Sequence, residues 1–549
     1  MAVTYDTNTI SGQPELSVAS RQKVQLFESI ILTNKCYLKM SKNPIATTSL
    51  GKLEGTWQAK NSIAVFKGVP FAKPPIDNLR WQAPQALDAW QGIKKAQQFG
   101  PHAIQLEIFI EKFLGGLVDG QGWGMFRNFF VKTLLKIAPK PKQSEDCLYL
   151  NVRTPKLDTT AKLPVMVWIH GGDHQDGSGA EIYYDSNAIP EKGVVVVTIN
   201  YRLGLMGYFT HPELNQESEH QVSGNYGTLD QIAALQWVKD NIEGFGGDPE
   251  NVTIFGESAG GESVAHLLNS PLAKGLFHKA ILQSPANSGQ MMHLSKPFLD
   301  YPSGEDRGVA FAKTVGVTGN NQLEKLRKMS AIALQKGIQA QDELSGFYPV
   351  IDGYVLPKSN FETFEDGKQH PVPVLLGSNS DEGTLIHAMF PTPLIAFRYR
   401  RMEDSQLPAI FYEEYAAESA KLLELYPGLE TRDTKAEQAF LGDDMSGGKT
   451  RFYAEKITQT NQPAFLYHFN RTPPSPKQTA GAFHAAELPL VHVNHVPILL
   501  LDQNDLKLSA IMINYWTQFA KTGNPNGINP QKWEAFNPNQ PNWMVLGTK

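Results

Sequence analysis

Six short runs of consecutive apolar residues, separated by polar loops and helical patterns, limit what this chain can fold into. They are Leu163–Ile169 (LPVMVWI), Val194–Ile199 (VVVVTI), Val252–Phe255 (VTIF), Ala280–Gln283 (AILQ), Val372–Leu376 (VPVLL) and Ala464–Phe469 (AFLYHF). A strand with one wet face alternates apolar and polar residues. Unbroken, often β-branched runs fit strands covered on both faces, as in a mainly parallel sheet. Between the second and third runs, Thr228–Ile242 reads as a strong helix whose Leu229, Ile232, Ala233, Leu235, Trp237 and Val238 form a broad buried stripe. No fixed-period repeat is evident, which argues against a solenoid or propeller. No Pro/Gly/Ser-rich linker divides the 549 residues, so one open α/β sheet with large excursions is expected rather than several small domains.

Composition narrows the function classes. Lys and Arg total 50 against 55 Asp and Glu, a net charge of −5 spread over a large surface, which argues against nucleic acid as the main partner. Two cysteines exclude a disulfide scaffold and a cysteine-rich zinc module. No apolar run reaches the roughly 18 residues needed to span a membrane. Residues 1–25 are polar and carry no secretory signal, so a cytoplasmic location is expected, with secretion the alternative. Met40-Ser41-Lys42-Asn43-Pro44 looks like the start of a chain. Residues 1–39 are therefore read as a dispensable extension and 40–549 as a single domain.

Gly256-Glu257-Ser258-Ala259-Gly260 is the single G-x-S-x-G of the chain. It follows the strand VTIF and precedes a helical pattern, Gly261–Leu268, so its serine sits on a tight strand–turn–helix with the hydroxyl projecting above the sheet. Glycines two residues either side fit because a Cβ there would collide with the turn. A lone serine is a poor nucleophile near neutral pH and needs a base and an orienting acid. On this kind of turn they follow in the order acid, then histidine. VPVLL runs into Gly377-Ser378-Asn379-Ser380-Asp381-Glu382-Gly383, placing Asp381 and Glu382 at a strand's carboxyl end. AFLYHF leads towards Gly481-Ala482-Phe483-His484. The pattern does not separate the two acids, and His468, His492 and His495 rival His484.

With these features the sequence resembles the type-B carboxylesterase family, which includes the cholinesterases, over roughly Thr48 to Trp543. The resemblance is carried by FGESAGG from Phe255, EDCLYLN from Glu145, FKGVPFAKPP from Phe66, WIHGG from Trp168 and NYRLG from Asn200. GNYGTLDQIAALQWVKDNI from Gly224, PVIDG from Pro349, DEG at Asp381, GAFH ending at His484 and FAKTGNPN from Phe519 complete it. It implies an α/β-hydrolase fold, a large mostly parallel central sheet flanked by helices, with a probable cap or insert. It implies Ser258 as nucleophile, Glu382 as acid and His484 as base, with main-chain donors of Gly172, Asp173 and Ala259 forming the oxyanion hole. Gly171, Glu257, Trp123 and Phe347 are expected at the substrate. Ser284 would support the acid, while Arg80 with Glu145 and Arg202 with Asp230 would be structural ion pairs.

The chain departs from the family pattern in places. Three glycines are usual where Gly171-Gly172-Asp173 stands, and Asp173 is expected to turn away from the oxyanion. The cysteine that would bridge to Cys147 is missing after Gly100-Pro101, leaving Cys147 a buried thiol, with Cys36 a poor substitute. No aromatic residue occupies Leu134 to Pro141, where cholinesterases hold a quaternary ammonium group, so a choline ester is not expected. Gln105–Lys140 is read as an insert of two short amphipathic helices near the pocket mouth. They would pack on the body, form an apolar lid, or touch a lipid surface. The expected function is hydrolysis of a small-molecule carboxylic ester through an acyl-enzyme, with no metal or organic cofactor. Long-chain acylglycerol lipolysis and a non-catalytic binding protein are the alternatives.

Overall fold

The computed structural model describes residues 43–547 apart from 61, 107, 138–139, 287–290, 298–301, 342–345, 390–417, 432, 476, 495–498 and 500. The extension 1–39, Cys36 and His495 therefore lie outside the described residues.

Ten strands make the central sheet: β1 (Thr56–Gln58), β2 (Ile63–Pro70), β3 (Tyr149–Thr154), β4 (Leu163–Ile169), β5 (Val195–Ile199), β6 (Gly247–Glu257), β7 (Lys279–Gln283), β8 (Val374–Asn379), β9 (Ala464–Phe469) and β10 (Met544–Leu546). Their spatial order is β10-β9-β8-β7-β6-β4-β5-β3-β2-β1. From β5 through β10 every pairing is parallel, while β1, β2 and β3 join by antiparallel pairs, β3 against β5. The helices that matter for the site are α1 (Ile108–Gly120), α2 (Met125–Ile137), α3 (Tyr226–Asn241), α4 (Ala259–Asn269), α5 (Gly383–Met389), α6 (Leu488–His492) and α7 (Gln503–Thr522).

The unbroken apolar runs have a direct cause. Val165, Val167 and Ile169 of β4 enter one core cluster, and the intervening Met166 and Trp168 enter another on the opposite face. Val195, Val197 and Ile199 of β5 divide from Val196 in the same way. Each such buried side chain contributes about 1.5–3 kcal/mol relative to exposure. Helix α3 departs from expectation. Leu235, Trp237 and Val238 are buried, but Leu229, Ile232 and Ala233 are only half-buried, and its buried face includes Asp230, Gln231 and Asn241. Each of these residues makes a side-chain hydrogen bond: Asp230 takes the Arg202 guanidinium, Gln231 donates to Ser263, and Asn241 accepts from Ser49. A buried polar residue is tolerated where its hydrogen bond is made.

The insert forms two helices of unlike character. On α1, Leu117 and Val118 are buried, and Gly116 lies against Leu385 and Met389 of α5. Helix α2 buries no residue. Cys147 is a buried free thiol whose ionisation is opposed chiefly by burial.

Candidate active site

Strand β6 ends at Glu257 and α4 begins at Ala259, leaving Ser258 alone in the turn with φ 57° and ψ −127°. Residues with a Cβ rarely adopt such a backbone. The turn closes because its flanks lack one: a Cβ at Gly260 would strike the Ile169 carbonyl, and one at Gly256 the Gly260 backbone. The Ser258 N–H donates to the Gln283 carbonyl on β7 at 3.0 Å, and the Ser258 carbonyl accepts from Glu262 at 2.9 Å. The serine is thus fixed at the carboxyl end of a central strand, where open α/β sheets form their sites.

His484 lies in the loop between β9 and α6. Its Nδ1 stands 2.6 Å from Glu382 Oε2, and both side chains are about fully buried. The second Glu382 oxygen accepts the Asn379 N–H at 2.7 Å. Asp381, its neighbour, does something else. It accepts the Ser380 hydroxyl and the Ala482 N–H, and its own N–H donates to the Ala482 carbonyl, so it clips the histidine loop to the end of β8. The structure thereby separates two acids that the sequence pattern left together.

The other ring nitrogen, Nε2, faces Glu257 Oε1 at 3.3 Å. Burial opposes a charge on His484, but the Glu257 and Glu382 carboxylates outweigh it and hold the imidazole up at about 9. Glu257 itself is pushed up to about 8 by burial, against the pull of His484. These groups titrate as one coupled set, in which the imidazolium is favoured by the nearby carboxylates. Among the rival histidines, His492 sits between the rings of Trp168, Tyr184 and Phe255, where burial holds it down to about 3. His468 pairs in register with Ser378 on the sheet.

Beyond β4, Gly172, Asp173 and His174 take φ values of 103°, 55° and 55°, a left-handed stretch that turns the backbone sharply. Gly171 packs on the elbow: a Cβ there would come within 3.1 Å of Ser258 Cβ and 2.8 Å of the Glu257 carbonyl. Ala259 opens α4, and the first-turn N–H groups of a helix have no acceptor within it. Asp173 accepts the Tyr348 hydroxyl at 3.0 Å, and burial pushes its carboxyl up to about 6 against that bond.

Several contacts were not legible in the sequence. Asn379 donates to the Phe483 carbonyl and to Glu487, Gln283 donates to the other Glu487 oxygen, and Trp516 on α7 donates to Gln283. This buried chain braces the residue preceding His484. Among the described residues the buried Ser284 hydroxyl has no hydrogen-bond partner, so the expected bond from it to Glu382 is not made. Trp123 packs on the second core cluster with Arg127 4.0 Å over its ring. Phe347 belongs to a core cluster, its ring against Phe209 and Phe311. Arg80–Glu145 and Arg202–Asp230 form paired hydrogen bonds away from the serine.

Comparison with known proteins decides the family. The carboxylesterase family, as a sequence model, matches residues 42–549. The chain belongs to the carboxylesterase family. Family members of similar sequence include the fumonisin B1 esterase of Sphingopyxis macrogoltabida, 33% identical over 89% of this chain and 84% of that one. The para-nitrobenzyl esterase of Bacillus subtilis is 34% identical over 92% and 95%, and liver carboxylesterase 1 of Oryctolagus cuniculus 33% over 90% and 88%. A solved para-nitrobenzyl esterase superposes with a TM-score of 0.76 at 32% identity, covering 92% of this chain and 96% of that one. A Geobacillus stearothermophilus carboxylesterase gives 0.75 at 29% identity with the same coverage. The chain has the α/β-hydrolase fold, and this carboxylesterase is a carboxylic ester hydrolase.

Proposed function

We propose that this esterase works by two-step acyl transfer with Ser258 as nucleophile, His484 as base and Glu382 as orienting acid. The observation that carries the assignment is the buried His484–Glu382 pair at 2.6 Å, with the imidazole's far side turned to Glu257, the residue next to Ser258. His484 accepts the Ser258 proton as the hydroxyl attacks the ester carbonyl, and Glu382 holds the ring and its charge. N–H groups of Gly172, Asp173 and Ala259 receive the oxyanion, each such donor being worth about 3–4 kcal/mol in a dry site. His484 then protonates the leaving alcohol, and water hydrolyses the acyl-enzyme. The reaction needs no metal and no organic cofactor. An alkyl phosphonate is expected to label Ser258 stoichiometrically, with a pre-steady-state burst of alcohol from an activated ester and loss of both in Ser258→Ala. Label on a different residue, or hydrolysis surviving the substitution, overturns the assignment.

The substrate is a small-molecule carboxylic ester whose acyl part meets the apolar insert. Supporting this, the insert reaches the loops that carry acid and base: α1 packs on α5, directly after Glu382, and the Gly120 and Gln121 carbonyls accept from Thr479 and Ser475 ahead of His484. Asp173, held by Tyr348, tunes this preference or its pH dependence. A large rate gain for Asp173→Gly on every ester tested would count against that role.

A second reading, lipolysis at a lipid surface, is favoured by one observation. Met125, Phe126, Phe129, Phe130, Leu134 and Ile137 leave an apolar face of α2 in solvent, with Phe126 86% exposed. Arg127, Lys132 and Lys136 interleave with it, the composition of an interfacial helix. A jump in rate once a triglyceride passes its solubility limit supports this reading, and simple saturation through that limit overturns it.

A further inference from the structure

Among the described residues, three side chains able to ligate a metal converge behind the proposed oxyanion segment: His174, Glu262 and His266, all buried. His174 is the last residue of the left-handed stretch after Gly172. Glu262 and His266 are four residues apart on α4, the helix that continues from Ser258, and so share one face. One donor atom of each lies within 4.8 Å of the other two. His174 Nε2 stands 3.4 Å from one Glu262 oxygen and His266 Nε2 stands 3.3 Å from the other. The imidazole planes differ by 23° with centroids 6.0 Å apart.

Three features point to a cation. The Nε2 atoms of His174 and His266 are buried and turned to the two Glu262 oxygens at 3.4 and 3.3 Å, with no closer partner among the described residues, so two imidazoles and a carboxylate converge on one another in a water-poor interior. Bonds of about 2.0–2.1 Å at tetrahedral angles set donor atoms about 3.4 Å apart, the spacing at which each imidazole nitrogen stands from its own oxygen of the Glu262 carboxylate. The remaining His174 ring nitrogen, Nδ1, lies 3.4 Å from the Tyr208 hydroxyl, as outer partners orient a ligating imidazole. Two imidazoles and one carboxylate suit zinc, cobalt or nickel better than calcium or magnesium, which prefer oxygen.

We propose that His174, Glu262 and His266 bind one divalent transition ion, zinc foremost, which staples the segment Gly171–His174 to helix α4. The ion is a structural partner of the esterase and takes no step in acyl transfer. Its binding is independent of the catalytic assignment, whereas its value to the oxyanion donors rests on that assignment.

The test uses the full chain, stripped with a strong chelator, desalted, and offered zinc chloride or cobalt chloride. One zinc per chain should survive gel filtration, with a rise in Tm of several degrees. Cobalt should give the visible absorption of a four-coordinate nitrogen and oxygen site. His266→Gln and Glu262→Gln, checked as folded by circular dichroism and by phosphonate labelling of Ser258, should bind zinc at least tenfold more weakly and lose the rise in Tm. No retained zinc in the wild-type chain, or equal binding in both variants, overturns the site. Because Ser258 labelling is read in the same samples, failure of the metal site and failure of the acyl-transfer reading are told apart.

Discussion

His484 is flanked by carboxyls on both sides, and this arrangement sets where its proton comes off. Glu382 lies 2.6 Å from Nδ1 and Glu257 3.3 Å from Nε2, with Glu487 adding charge from further away. Negative neighbours favour the imidazolium, so the base becomes available only at higher pH. An opposite charge this close is worth about 1–3 pH units. Glu257→Gln should therefore move the acid limb of the kcat/KM profile to lower pH by about one unit or more. A limb that stays in place would mean that Glu257 is a neutral acid throughout the working range. Asp381→Ala removes two accepted bonds, one from the neighbouring Ser380 hydroxyl and one from the Ala482 N–H of the histidine loop. It should cost about 1–3 kcal/mol in urea melts and lower kcat while leaving phosphonate labelling possible. Asp381 and Glu382 show why residue patterns stop short. Both are acids at the end of one strand, and only the extra reach of the glutamate and the direction of the turn distinguish their roles. The His174 cluster was equally hidden, since a Glu-x-x-x-His spacing on a helix acquires meaning only when a third donor arrives from the turn after β4.

Among the elements, the sheet was the most legible. β4 and β9 have the bounds that their apolar runs predict, and β5, β7 and β8 differ by a few residues. β6 runs further back than its four apolar residues, to Gly247, through Asp248, Glu250 and Asn251. Its polar first half carries no burial signal. α3 was found as a helix but not as the helix it is, because its hidden face holds partnered polar groups that hydrophobicity cannot reveal. α2 is amphipathic in sequence and keeps its apolar side wet. Phe126→Ser with Phe129→Ser should change stability by less than about 0.5 kcal/mol. It should also sharply reduce co-sedimentation with anionic phospholipid vesicles. Vesicle binding equal to wild type would assign that face to something other than lipid.

Across the whole molecule, the site draws on the ends of β4, β6, β8 and β9, and no single stretch of chain contains it. What made it readable was the order of the motifs, each tied to a strand end by the same sheet. The frame around it relies on a few buried ion pairs. Arg202 and Asp230 are both about fully buried and doubly bonded, so Asp230→Ala leaves a buried guanidinium without its counter-charge. It should cost about 3–5 kcal/mol, read as a lowered urea midpoint with the elbow chemistry intact in the folded fraction. Cys147 sits just ahead of β3 with 1% of its surface exposed. In a Cys36→Ser background it becomes the sole thiol of the chain, and a thiol reagent can reach it only when that side of the sheet parts from its covering. The rate of its modification is then a clock for opening of the native state, readable without any substrate.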